Sequence, residues 1–278
     1  MRALQSAQTL MRTLRGTDVA TVSGLIITAM GLFLGLRLEG IQLYDVGQIT
    51  AALIVFCGTI GAVLISMPLA QTIQALKLIP SMFQNPADRD TEVIDQVIKY
   101  ARAARSRGIL SLERESETIP DAFFRRAMRM AVDSLGSETI KTVLDSDIEG
   151  FKGQAENAAI FYETAAGYAP TLGVAGAALG LVQVMKNIEH IDQVGRGVAA
   201  AFVATIYGVL LANLILLPIA TKIRARAGAR VRICGIIREG VMAISTSVNP
   251  ALIRLNLEAL AQIENERPRA RALRAMSA

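Results

Sequence analysis

The sequence predicts an all-α integral membrane protein with four transmembrane helices and a helical cytoplasmic domain. Three observations carry that prediction: four long stretches free of Asp, Glu, Lys and Arg, basic residues almost excluded from the short loops that pair them, and helical periodicity in the polar remainder. Of 278 residues, 52% are hydrophobic and 19% charged, with a mean hydropathy of +0.41. A soluble domain carries about 25% charged residues. With 5% aromatics and no Trp, a large aromatic-lined ligand pocket is not expected. One His and two Cys exclude a His/Cys zinc cage and a disulfide framework. Collagen-like, low-complexity and disordered classes do not fit this composition.

The first uncharged stretch, Val19–Leu36, has 18 residues. The second lies within Val46–Leu76 and is most apolar from Ile49 to Leu69. The third, Thr164–Met185, has 22 residues and the fourth, Gly197–Thr221, has 25. At ~1.5 Å of rise per residue the last two reach ~33 and ~37 Å, against a hydrocarbon core of ~30 Å. Buried helices of a large soluble protein are the competing explanation, and four such runs in one short chain argue against it.

The stretches form two hairpins, closed by loops Arg37–Gln48 and Lys186–Arg196. Only Arg37, Lys186 and Arg196 of the 29 Lys and Arg lie in those loops. Arg2, Arg12 and Arg15 precede the first stretch, and Lys222, Arg224 and Arg226 follow the fourth. By the positive-inside rule both termini and the middle segment are cytoplasmic. The net charge of +5 therefore reflects topology, and nucleic acid is not needed as a partner. The first apolar run exceeds a signal-peptide core of ~7–15 residues and no small-x-small site follows it, so it reads as a retained span. The expected segments are 1–17 cytoplasmic, 18–70 first hairpin, 71–163 cytoplasmic helical domain, 164–221 second hairpin and 222–278 cytoplasmic helical tail.

In the middle segment, Thr91–Ser106 sets Val93, Ile94, Val97, Ile98 and Ala101 at helical spacing, acidic residues early and basic ones late. Gly108 interrupts, Ile109–Glu117 resumes, and Pro120–Leu135 is again helical. Ser137–Tyr162 reads as a long helix feeding the third span. Beyond the fourth span, Ile223–Thr246 is helical and Asn249-Pro250 marks a turn. Ala251–Ile263 then repeats Leu252, Leu255, Leu260 and Ile263, with Leu257 off that face. The basic tail Asn265–Ala278 is expected to be disordered.

An enzyme reading finds little support. There is no phosphate loop; Gly173–Gly180 is glycine-rich but sits inside the third span, and His190 stands alone in a short external loop. No cofactor or metal is expected. Small residues instead form ridges: Ala200, Ala204, Gly208 and Ala212 in the fourth span, and Ala169, Gly173 and Ala177 in the third, with Gly176 and Gly180 alongside. Such ridges let membrane helices approach closely. They could pack the two spans together or face another chain. Polar residues that interrupt the apolar runs include Thr28, Thr59, Ser66, Thr205, Tyr207 and Asn213, none of which ionises near neutral pH. Transport proteins usually place an Asp, Glu, Lys or His in the membrane; if this chain conducts ions, the carboxylate must come from a partner helix. Pro170 and Pro218 each lack an amide donor and permit a bend, although Pro218 could simply end its helix.

These residues resemble the MotA family, the ring-forming subunit of the flagellar stator within the MotA/TolQ/ExbB group. The resemblance spans nearly the whole chain. It runs through Asp18-Val19-Ala20-Thr21 and Gly58-Thr59-Ile60-Gly61-Ala62 to Ala169-Pro170-Thr171-Leu172-Gly173 and Gly180-Leu181-Val182. It continues through Thr205-Ile206-Tyr207-Gly208-Val209-Leu210-Leu211-Ala212-Asn213 to Pro218-Ile219-Ala220. The resemblance implies a homopentamer in the bacterial inner membrane around a dimer of single-span MotB-like chains that supply a proton-binding Asp. Ion flow would turn the ring, and the cytoplasmic segment would push on the rotor protein FliG. Arg105 and Glu113 match the family's rotor-contacting Arg and Glu, eight residues apart. Pro170, Ala177, Ala204, Thr205, Tyr207 and Pro218 would line or gate the ion path. Sodium-driven relatives carry Thr where Ala177 and Ala204 stand; without those hydroxyls, proton coupling is expected. The alternatives are a TolQ/ExbB-like subunit energising an envelope process and a non-conducting oligomeric scaffold. The extra first hairpin argues against the former.

Overall fold

The computed structural model describes residues 19–41, 46–80, 89–186, 189 and 191–262. The N-terminal segment 1–17, His190 and the basic tail lie outside them. Every regular element among the described residues is helical, and the chain divides into two compact units.

The first unit comprises residues 1–85 and 154–226. Helix α1 spans Val19–Leu38, and α2 spans Ile49–Ser66 with a π-helical stretch at Leu53–Cys57. The second apolar stretch does not continue to Leu76 as one helix. Met67 is extended, and Pro68 opens a separate helix, α3, Leu69–Lys77. A residue before proline is sterically driven out of the helical region, which accounts for the break. Three helices are long and apolar enough to cross a bilayer, while the apolar part of α1, Val22–Leu38, is shorter.

The second unit comprises residues 86–153 and 227–278. Its helices are α4 (Arg89–Arg107), α5 (Glu113–Glu117) and α6 (Ala122–Val132), with a 3-10 turn Ile109–Leu112 between α4 and α5. The segment expected to resume as one helix at Ile109 is therefore split. Helix α7, Ser137–Lys186, contributes to both units. Helix α8, Ile191–Leu210, begins six residues before the predicted fourth stretch, which shortens the loop expected at Lys186–Arg196. It passes through a π-helical stretch, Leu211–Leu216, into α9, Leu217–Ser245.

Pro218 therefore does not end a helix. Its ring would clash with the carbonyl four residues back, which is that of Leu214, within the wider π turn. The last described helix, α10, covers residues 250–262.

The second unit has a conventional core. Phe124, Leu112, Met128, Ile140, Leu144, Ile236 and Ile237 are fully buried, and the Tyr100 and Phe124 rings meet edge-on at 5.6 Å. Asp121 caps α6 by accepting from the Phe123 and Phe124 amides at 3.0 and 3.1 Å. Its carboxylate also pairs with Arg230 of α9. Burial pushes the Asp121 carboxyl up, but the Arg230 guanidinium and the two amides outweigh it and hold it below the usual range. Arg232 pairs with Asp90 at 2.9 Å and Arg254 with Asp95 at 2.6 Å.

The inward face of α10 is Ile253, Leu257 and Ala261, not the predicted stripe. Leu257 is 1% exposed, whereas Leu252 and Leu255 are 54% and 65% exposed. This helix has apolar residues on two sides, so periodicity does not identify the one the core covers.

Candidate functional site

The site is built in the first unit, where α7 and α8 meet along small residues. A Cβ added at Gly208 would lie 2.5 Å from the carbonyl oxygen of Ala169 and 3.0 Å from Cα of Pro170. One at Gly173 would lie 2.9 Å from the Ala204 carbonyl and 3.2 Å from Cα of Thr205. Backbone meets backbone here, and no side chain can yield. Gly176 faces the Ala204 methyl, and Gly180 lies against Ala201. Near the other end, Gly197 meets Val184.

Among the predicted small residues, Gly173, Gly176, Gly208, Ala204 and Ala212 are buried, and Ala177, Gly180 and Ala200 are half-buried. Ala212 clusters with Ala166 and Ala169. Sequence reasoning missed Gly197 and Ala201. A strict four-residue spacing drifts off the face of a helix with 3.6 residues per turn. Steps of four broken by one step of three pick out 197, 201, 204, 208 and 212, and this was the available signal.

Pro170 lies in this seam. Without an amide it leaves the Ala166 carbonyl with no intrahelical donor, yet α7 runs through it unbroken. Two residues earlier, the Tyr168 hydroxyl lies 2.8 Å from Ser66 Oγ of α2. Thr205 is half-buried beside Ala204, and its hydroxyl reaches the Ala201 carbonyl only at 3.5 Å.

Tyr207 projects differently. Its hydroxyl donates to the Val46 carbonyl at 2.6 Å and accepts from the Gln48 amide at 3.4 Å, fastening α8 to the start of α2. The structure thus brings Pro170, Gly173, Ala204, Thr205 and Gly208 together and sets the Tyr207 hydroxyl against the backbone just before α2. Pro218 is exposed at the start of α9.

Where the spans give way to charged sequence, Arg224 of α9 clamps two carboxylates of α7. Its Nε donates to Glu156 at 2.9 Å, and Nη2 donates to Glu156 at 2.6 Å and to Glu163 at 3.0 Å. Nη1 also bonds Glu163. These bonds hold both carboxyls below their ordinary range and raise the guanidinium.

In the second unit, Arg105 and Glu113 lie on either side of the turn at Gly108, both exposed. The ion pair spanning that turn is Arg107–Glu115, at 3.0 Å.

The MotA/TolQ/ExbB proton channel family model matches residues 115–236. Motility protein A of Bacillus subtilis (strain 168) is 30% identical, over 86% of this chain and 89% of its own length. A solved structure of C. jejuni MotAB matches with a TM-score of 0.82 at 26% identity, covering 87% of this chain and 95% of that one. The flagellar MotAB stator complex from Bacillus subtilis gives 0.80 at 29% identity, covering 86% and 94%.

Proposed function

We propose that this chain, which belongs to the MotA family of flagellar stator subunits, assembles in the bacterial inner membrane with a MotB-type single-span partner and converts proton flow into torque. The observation that carries this reading is the absence of any Asp, Glu, Lys, Arg or His from the four uncharged stretches. A proton-binding group must then enter from another polypeptide, and the solved MotAB complexes contain such a partner chain by name. Four spans would place both termini and the middle segment in the cytoplasm. There, residues 71–163 would meet the rotor protein FliG through Arg105 and Glu113, as exposed charges suited to complementary pairing. A pentameric ring follows from the family resemblance.

Within the bilayer, the seam sets the mechanical terms. Gly173 and Gly208 bring the two backbones so close that Pro170 has little room sideways. A change at the partner's Asp would act on α7 at Pro170, where the helix has lost one backbone hydrogen bond and bends most easily. Ala177 and Ala204 offer no hydroxyl, which leaves Thr205 as the main polar group beside them. That is adequate for a water-borne proton and poor for sodium, a hard cation that needs oxygen ligands.

The test is reconstitution. The chain alone in vesicles should pass no cations, the complex with its partner should pass protons, and replacing the partner's Asp by Asn should stop the flow. Brisk flux through the chain alone overturns the reading. Motility that ceases when sodium is removed at constant proton-motive force overturns the ion assignment.

A further inference from the structure

We propose that Leu110 is the apolar anchor of the rotor-facing surface, seated in a hydrophobic socket of the rotor protein beside the contacts of Arg105 and Glu113. This rests on the rotor-contact reading above and names the chemistry of the partner at that site. Gly108, at φ 80°, ends α4 and reverses the chain. The 3-10 turn that follows has three residues per turn, so positions i and i+3 eclipse. Ile109 and Leu112 therefore share one edge, and Leu110 and Glu113 share the other. The core takes the first edge: Leu112 is fully buried and Ile109 packs on the same cluster. The second faces outward, with Leu110 69% exposed.

The turn is held on both sides. Ser111 Oγ donates to the Gly108 carbonyl at 2.7 Å, Ser116 Oγ donates to the Glu113 carbonyl at 2.7 Å, and Arg107–Glu115 ties α4 to α5. A leucine presented this way loses little freedom when a partner covers it, which favours binding. Single exposed apolar residues are commonplace. This one is set apart by its fixed turn and by the opposite charges that follow and precede it in the chain. An apolar centre with a charged rim is the pattern of an interface anchor. The complementary surface is an apolar socket bordered by a carboxylate toward Arg105 and a cation toward Glu113.

The experiment places Leu110→Asp, Leu110→Ala and Leu110→Met in the full chain, co-expressed with its partner. Three quantities are read: binding of purified rotor protein to the detergent-solubilised complex, torque of tethered cells, and proton conduction. Leu110→Asp should lose binding and torque, Leu110→Ala should weaken binding about tenfold, and Leu110→Met should retain both. Conduction should stay unchanged throughout. Leu135→Asp, at another exposed position of the same unit, should change nothing.

Normal binding by Leu110→Asp, while Arg105→Glu and Glu113→Lys lose it, overturns the anchor and leaves the charge contacts standing. Normal binding by all three fells the rotor-contact reading itself. If Leu110→Asp fails to accumulate, Leu110→Ser is read in its place. Loss of conduction together with torque assigns the residue to folding and overturns the proposal.

Discussion

The two units solve the same packing problem with opposite materials. The second unit buries large side chains, Phe124, Met128, Leu144 and Ile237 among them, and fixes its helices with Arg–Asp pairs. The first unit leaves many of its large apolar residues outward, Leu25, Ile27 and Ile65 among them, and packs α7 against α8 through alanine and glycine. In water, removing apolar area from solvent drives association, so bulk is placed inside. In lipid that force vanishes between helices, and close backbone approach replaces it. The contrast marks the first unit as built for lipid and the second as built for water.

The sharpest way to break the contrast is Gly208→Leu. Its Cβ would fall 2.5 Å from a backbone carbonyl, so α7 and α8 must separate. Conduction and motility should be lost, and even Gly208→Ala should cost about 3 kcal/mol, the upper end for overpacking. Co-purification with the partner and swimming speed test this.

Next comes Asp121→Ala in the second unit. It removes a helix cap and leaves the half-buried Arg230 without its carboxylate, so about 2–3 kcal/mol should be lost at neutral pH. Because the folded carboxyl sits below its unfolded value, its contribution is complete above about pH 4. It should fade as pH falls through the folded value. A difference between wild type and variant in hydrogen exchange of α6 that persists at the lowest pH would contradict this.

Gly240→Ala should do less. Its Cβ would meet Val97 Cγ1 at 2.5 Å, but a side chain can shift where a carbonyl cannot. The helix also gains about 1 kcal/mol from alanine over glycine. A net loss of about 1 kcal/mol is expected in thermal unfolding, far short of the Gly208 effect. If the two substitutions cost the same, the distinction between a backbone seam and a side-chain core fails.

The smallest effect is chemical. Burial pushes the Cys234 thiol up to about 11, so at pH 7 it should react with a water-soluble maleimide more than about 100-fold slower than a free cysteine. Rapid labelling of the folded protein would show that this core opens easily.

The helical class and the small-residue seam are legible in the sequence because charge-free length and residue size depend on composition alone. Other features depend on partners distant in the chain. Leu252, Leu255, Leu257 and Ile253 offer two apolar faces, and only the core cluster, which includes Val97 and Ile237, decides for Ile253 and Leu257. The missed Gly197 and Ala201 reflect a spacing rule applied too rigidly. The π turns leave no trace in residue type, although Pro218, just past Leu211–Leu216, hints at one. Pro68, by contrast, states its break openly.

The neutrality of the apolar stretches has an electrical consequence. A membrane potential of 100 mV does about 2.3 kcal/mol of work on each elementary charge that crosses it, and on a helix segment with no formal charge it does almost none. Voltage therefore does almost no work directly on these stretches. In the proposed complex, energy reaches them through contact with the partner chain that would hold the travelling ion.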